Sequence, residues 1–284
     1  MYPRQGRWVN LRMQLARFGG PGPIWAALCG AVASGELTFS GPALFSLLSV
    51  LFLVDPLWGF LWDHIVGVNW GIPSSLSPSL LGDGLRLPPY TAPNSPGGRL
   101  FRWLDRALAW WRGALWPQLG SELSGLAIAL PLTAVLSFIL GLRVIILTSI
   151  GLSLMALLSW RRLSPRLPRA IIEVGLAWLA GQGAFGPLSW PSSALAAAYV
   201  GAYYACLALE EGERPLILLN GAQAAAVTLL VCLKRPLMAG LVGLTLLPQM
   251  LLQPYLREGG TAVWYLQRTG PFLMAGMLLA ALAM

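Results

Sequence analysis

Charged side chains are scarce. Only 11% of the 284 residues are Asp, Glu, Lys or Arg, against roughly 25% in an ordinary soluble domain. So little polar surface cannot coat a water-soluble globule of this size. Histidine occurs once, as His64, and cysteine three times, as Cys29, Cys206 and Cys232. The odd number and the lack of any Cys-x-x-Cys argue against a disulfide scaffold or a thiolate metal site. Each cysteine lies in an apolar run and reads as a small buried residue. P-loop, GxSxG, HExxH and dinucleotide fingerprints are all missing. No cleavable leader is expected, because the first apolar stretch follows a basic arm and leads at once into a second.

What the chain does have is apolar length. Hydrophobic residues make up 56% of it, and the mean hydropathy is +0.67. Runs near the roughly 20 residues that cross a bilayer recur throughout. Lipid offers no partner for free backbone groups, so the spanning element is a helix or a closed barrel. The runs do not alternate as barrel strands do. The expected fold is therefore all-α: a polytopic membrane helix bundle of about nine transmembrane helices, one domain over residues 1–284. Spans are expected near 23–37, 42–60, 119–140, 142–160, 170–185, 193–209, 216–233, 237–255 and 269–284. Residues 1–18 form a basic arm, and residues 64–118 a long loop with an amphipathic segment. In that segment, Arg99–Trp116 mixes four tryptophans with four arginines, the composition of a helix lying among lipid headgroups.

Positive charge sets the orientation. With the N-terminus inside, sixteen of the nineteen basic residues fall on the cytoplasmic side, leaving Arg143, Lys234 and Arg235 outside. The expected location is the cell (inner) membrane, with the N-terminus cytoplasmic. The net charge of +8 thus reads as topology, and nucleic acid is excluded as a partner. The acidic residues, apart from Glu36, also fall on or near the cytoplasmic side. Ionisable groups near membrane depth tend to mark function, so any chemistry is expected to face the cytoplasm.

Two acidic clusters carry the candidates. In Asp55-Pro-Leu-Trp-Gly-Phe-Leu-Trp-Asp63, residues 55, 59 and 63 share one face of a regular helix. Two readings stand: Asp55 and Asp63 hold a hard cation such as Mg²⁺, or Asp55 N-caps a helix that Pro56 opens. The second cluster is Glu210-Glu211-Gly212-Glu213-Arg214, where crowded carboxylates repel unless a cation sits among them. Its plainer reading is a hydrophilic turn, with Gly212 stopping one helix and Pro215 opening the next. Arg161, Arg162, Arg166 and Arg169 are suited to clamp a diphosphate, or serve as a topology signal or anionic-lipid contact. His64 reads as interfacial. Tyr199, Tyr203 and Tyr204 read as packing or interfacial belt.

The chain resembles the UbiA superfamily of intramembrane prenyltransferases over nearly its full length. The resemblance rests on nine spans, an acidic motif ending span two and another after span six. It also rests on the stretch from Ser164 to Gly175 with Gly181–Gly186 beyond it, and on Glu211-Gly212-Glu213-Arg214. In the family's Asn-x-x-x-Asp-x-x-x-Asp motif, Asp55 takes the Asn place, Gly59 the first Asp place and Asp63 the second. Glutamates at altered spacing replace the aspartates of the second motif. The resemblance implies transfer of a polyprenyl group from its diphosphate to an aromatic or other lipophilic acceptor. It implies Mg²⁺ on Asp55, Asp63, Glu211 and Glu213, and diphosphate on Arg161, Arg162, Arg166 and Arg214. The implied partners are membrane lipid, the isoprenoid diphosphate and the acceptor. The alternative keeps the fold without catalysis: an isoprenoid-, quinone- or pigment-binding protein, or a subunit of a membrane complex. A transporter is a third class, but no internal repeat is visible.

Overall fold

The computed structural model describes residues 20–67, 95–110, 116–161, 164–257 and 260–284. The basic arm 1–18 and most of the loop that follows residue 67 lie outside the described residues. Among the described residues ten helices follow in chain order: α1 (Pro23–Ala33), α2 (Gly41–Ile65), α3 (Pro96–Trp110), α4 (Trp116–Leu140), α5 (Leu142–Arg161), α6 (166–185), α7 (Trp190–Glu210), α8 (Leu216–Cys232), α9 (Pro236–Arg257) and α10 (Ala262–Leu282). No strand occurs among the described residues. Helix occurs in each of the nine segments expected to span, although α1 ends at Ala33, short of the expected residue 37. Five are long and apolar enough to cross a membrane: α2, most of α4, α5, α7 and most of α9. Helices α1 and α8 are apolar but shorter.

The chain divides into two units. The first contains α3 and the part of α4 up to Ala129; the second contains the rest of the described helices. In the first unit, α3 carries Leu100, Trp103, Leu104 and Leu108 exposed along one side. In the second, α7 is the most enclosed of the five long apolar helices and α9 the least. Large apolar side chains stand open on its outer surface, among them Phe138, Leu142, Ile217 and Leu237. In water such a surface would drive aggregation. Against lipid it is the surface a membrane-associated bundle needs.

Helix starts follow local chemistry. Pro23 opens α1, and the Ser40 hydroxyl accepts the Ala43 N–H at the head of α2. Asp55 does not cap a helix. It lies inside α2, in a π turn over Leu53–Leu57 that also holds Pro56. Proline lacks the N–H for the next α-helical bond and its ring crowds the preceding turn, so the backbone widens there. A second π turn, Ile171–Leu176, interrupts α6 around Glu173.

The tightest contact joins α1 to α6. A Cβ at Gly30 would stand 1.8 Å from the Trp178 carbonyl oxygen, and one at Gly181 would stand 2.0 Å from that of Ala27. Only hydrogen fits at either place. Ala26, Ala27, Ala31, Ala177 and Ala180 continue the same buried surface. Small residues let backbones approach in lipid, where the hydrophobic effect offers little. Beside it, buried Trp178 stacks on Tyr199 and donates to the Ser192 hydroxyl at 2.8 Å.

Candidate functional site

The arginine-rich start of α6, the end of α7 and the end of α2 meet in the second unit. The local design begins with Gly212. Its φ of +89° is a left-handed conformation that suits glycine. The Gly212 N–H donates to Leu209 and the Glu213 N–H to Ala208, closing the α7 terminus. This turn carries Glu211 and Glu213 to Arg166. One guanidinium arm bonds Glu213 at 2.5 Å, and the other pairs with Glu211. The two glutamates raise the Arg166 pKa above its ordinary value, the Glu213 hydrogen bond most of all. Separately, an arginine at a helix N-terminus and glutamates at a C-terminus oppose the helix dipoles. Paired, each charge answers the other.

A second network lies one turn further along α6. Arg169 Nε donates to Glu173 Oε1 at 2.8 Å, and the Tyr203 hydroxyl donates to Glu173 Oε2 at 2.5 Å. The Arg169 guanidinium stands 6.0 Å from the centre of the Trp62 ring. That contact ties Trp62, near the end of α2, to the same place. Glu210 lies within electrostatic reach of Arg169, Glu211 and Glu173. His64 hydrogen-bonds the Phe60 carbonyl at 2.8 Å and stacks on the Phe60 ring, a local arrangement within α2.

The sequence candidates are thus partly gathered. Arg166, Glu211 and Glu213 meet directly, and Arg214 is exposed beside them. Arg161 ends α5, but its side chain and the whole of Arg162 lie outside the described residues. The single face expected for residues 55, 59 and 63 is not what the helix presents. Asp55 is buried, while Gly59 and Asp63 are exposed. The wide turn adds residue length before position 57 and rotates Asp55 inward relative to the rest. Eight residues of helix also separate Asp55 from Asp63 by about 12 Å. Among the described residues, no three His, Cys, Asp or Glu side chains are grouped so as to hold a metal ion.

Sequence reading missed the Arg169–Glu173–Tyr203 network as a unit. The signal was present, because Arg169 and Glu173 stand four apart on one helix. It also passed over two amide pairs between α8 and α9. Gln223 and Gln249 exchange bonds of 2.8 and 2.9 Å, and Asn220 and Gln253 exchange bonds of 3.2 and 2.8 Å. The spacings 220/223 and 249/253 put each pair of amides on one helix face.

Compared with protein families, curated proteins and solved structures, the chain matches none.

Proposed function

We propose that the chain is a nine-span membrane protein of UbiA-like architecture, with its N-terminus and the arginine-rich end of the second unit in the cytoplasm. At that end it takes a prenyl diphosphate and transfers the prenyl group to a lipophilic acceptor. The observation that carries the reading is the meeting of three segments: Trp62 at the end of α2, Arg166 and Arg169 opening α6, and Glu210–Glu213 closing α7. The family resemblance requires this juxtaposition of two acidic segments around basic groups. In this reading α3 rests on the cytoplasmic face of the bilayer, with Leu100, Trp103, Leu104 and Leu108 in the headgroup boundary.

Charge balance says what must accompany the substrate. Among the described side chains, Glu173, Glu210, Glu211 and Glu213 stand with Arg166, Arg169 and Arg214, and a cation beside the diphosphate would lessen its repulsion by these carboxylates. Among the described residues, the carboxylates as arranged do not by themselves make a magnesium site. Mg²⁺ usually binds through one or two carboxylates plus substrate phosphates, and its chemistry would be to neutralise the leaving diphosphate. The protein's own part is to orient the phosphates with guanidinium groups and to place the prenyl chain among apolar helices. The test is a transfer assay on purified protein with radiolabelled farnesyl and geranylgeranyl diphosphates and a set of phenolic and quinol acceptors. Mg²⁺-dependent, lipid-extractable product supports the reading. Its absence for every pair, with diphosphate binding retained, favours the second reading.

That second reading is a non-catalytic isoprenoid-binding protein or complex subunit. It is favoured by Arg166, which already occupies both Glu211 and Glu213, and by Gly59, which brings no carboxylate where the family has one.

A further inference from the structure

Arg166 stands in the first turn of α6, where the helix dipole already presents positive charge. Glu211 and Glu213 directly follow the last turn of α7, where the dipole presents negative charge. All three charges therefore sit at the disfavoured ends of their own helices. Pairing offsets this, but neutral side chains at the same places would avoid it altogether. Solvent screens such partly exposed pairs strongly, so the contact adds little to stability. Stability does not account for its presence.

Its form is that of an occupied anion site. One arm of the Arg166 guanidinium donates to Glu213 at 2.5 Å, and the other arm pairs with Glu211. The planar fork offers phosphate the same two-armed contact. Here the turn at Gly212, with its φ of +89°, supplies the two acceptors from within the chain. Arg166 is partly buried, whereas both glutamates are exposed. An exposed carboxylate is one that a solute anion can replace. The neighbouring guanidinium is placed differently: Arg169 is held by Glu173 on its own helix and lies near the Trp62 ring.

We propose that this contact is an autoinhibitory latch: Glu211 and Glu213 hold the Arg166 fork as internal substitutes for phosphate, and a diphosphate group engages the mouth by taking their place. The latch rests on the diphosphate reading for its occupant and adds that the free protein occupies that place with its own carboxylates. The probe is inorganic pyrophosphate, which has no prenyl chain. It is titrated calorimetrically into the purified protein in nonionic detergent, at low salt and with divalent metal removed. The wild type should bind it weakly. Glu213→Gln frees one arm of Arg166 and should tighten binding about threefold to tenfold, the scale of one hydrogen bond. Glu211→Gln frees the other arm and should act alike, so either variant serves if the other does not fold. Glu210→Gln removes the same charge but leaves both bonds to Arg166 in place, and should tighten binding less than about twofold. Adding Arg166→Gln to Glu213→Gln should cancel the gain. Three results overturn the latch: no gain in either freed variant, an equal gain in Glu210→Gln, or a gain that survives Arg166→Gln. The prenyl-transfer assay fails separately. A pyrophosphate gain without transfer leaves the latch and removes the enzyme reading, whereas transfer without the gain removes the latch alone.

Discussion

Helices α1 and α6 meet through residues with almost no side chain, whereas α8 and α9 meet through four amides. Gly30 and Gly181 bring backbones together until no Cβ fits. Gln223, Gln249, Asn220 and Gln253 instead hold their helices by reciprocal hydrogen bonds. Lipid removes most of the hydrophobic drive between helices, and these are the two substitutes available. They fail differently. A steric contact tolerates no added atom, while a hydrogen-bonded pair tolerates the loss of both partners better than the loss of one.

The largest expected effect sits at the steric contact. Gly30→Val or Gly181→Val should cost more than about 3 kcal/mol, because the clash is with backbone carbonyls and no rotamer relieves it. Loss of a monodisperse folded species in detergent is the readout; a midpoint near that of the wild type would show that the contact is looser than described.

Breaking one amide should cost less. Gln223→Leu strands Gln249 and should cost about 1–2 kcal/mol. The double change Gln223→Leu with Gln249→Leu should recover part of that loss. If the double variant is worse than the sum of the singles, the pair is not an isolated unit.

At the charged mouth the effect on stability should be smaller still. Arg166 and its two glutamates are partly exposed, and solvent screens such pairs strongly. Arg166→Ala should therefore lower stability only slightly, and high salt should shrink the difference further. A much larger loss would mean that the pairs hold α6 to α7 structurally and are not kept for a ligand.

Much of the fold was legible because its signals are long. Apolar runs of helix length bounded by Gly, Pro and Arg marked where α1, α2 and α4 to α10 lie. Arg99–Trp116 marked a helix that the structure places at Pro96–Trp110. The π turns were not legible. A regular helix would have put Asp55 on the face of Asp63, and the one extra residue around Pro56 turned it into the core. The site was half legible for a related reason. Reading charge found Arg166, Glu211 and Glu213. Whether the two glutamates surround an ion or an arginine depends on a turn at Gly212 that only the backbone reveals. The amides were missed because they carry no charge and sit in helices whose overall composition is apolar.

The central claim is that the mouth formed by α2, α6 and α7 receives a diphosphate together with a cation. The most direct measurement is thermal unfolding of the purified protein in detergent with Mg²⁺ alone, farnesyl diphosphate alone, and both. The account predicts a smaller shift with the diphosphate alone than with both, because a cation lessens the repulsion between the phosphates and the nearby carboxylates. It predicts that Asp63→Asn, at an exposed position, removes most of that rise. An equal response in wild type and Asp63→Asn, or no response to the combination at all, would contradict it.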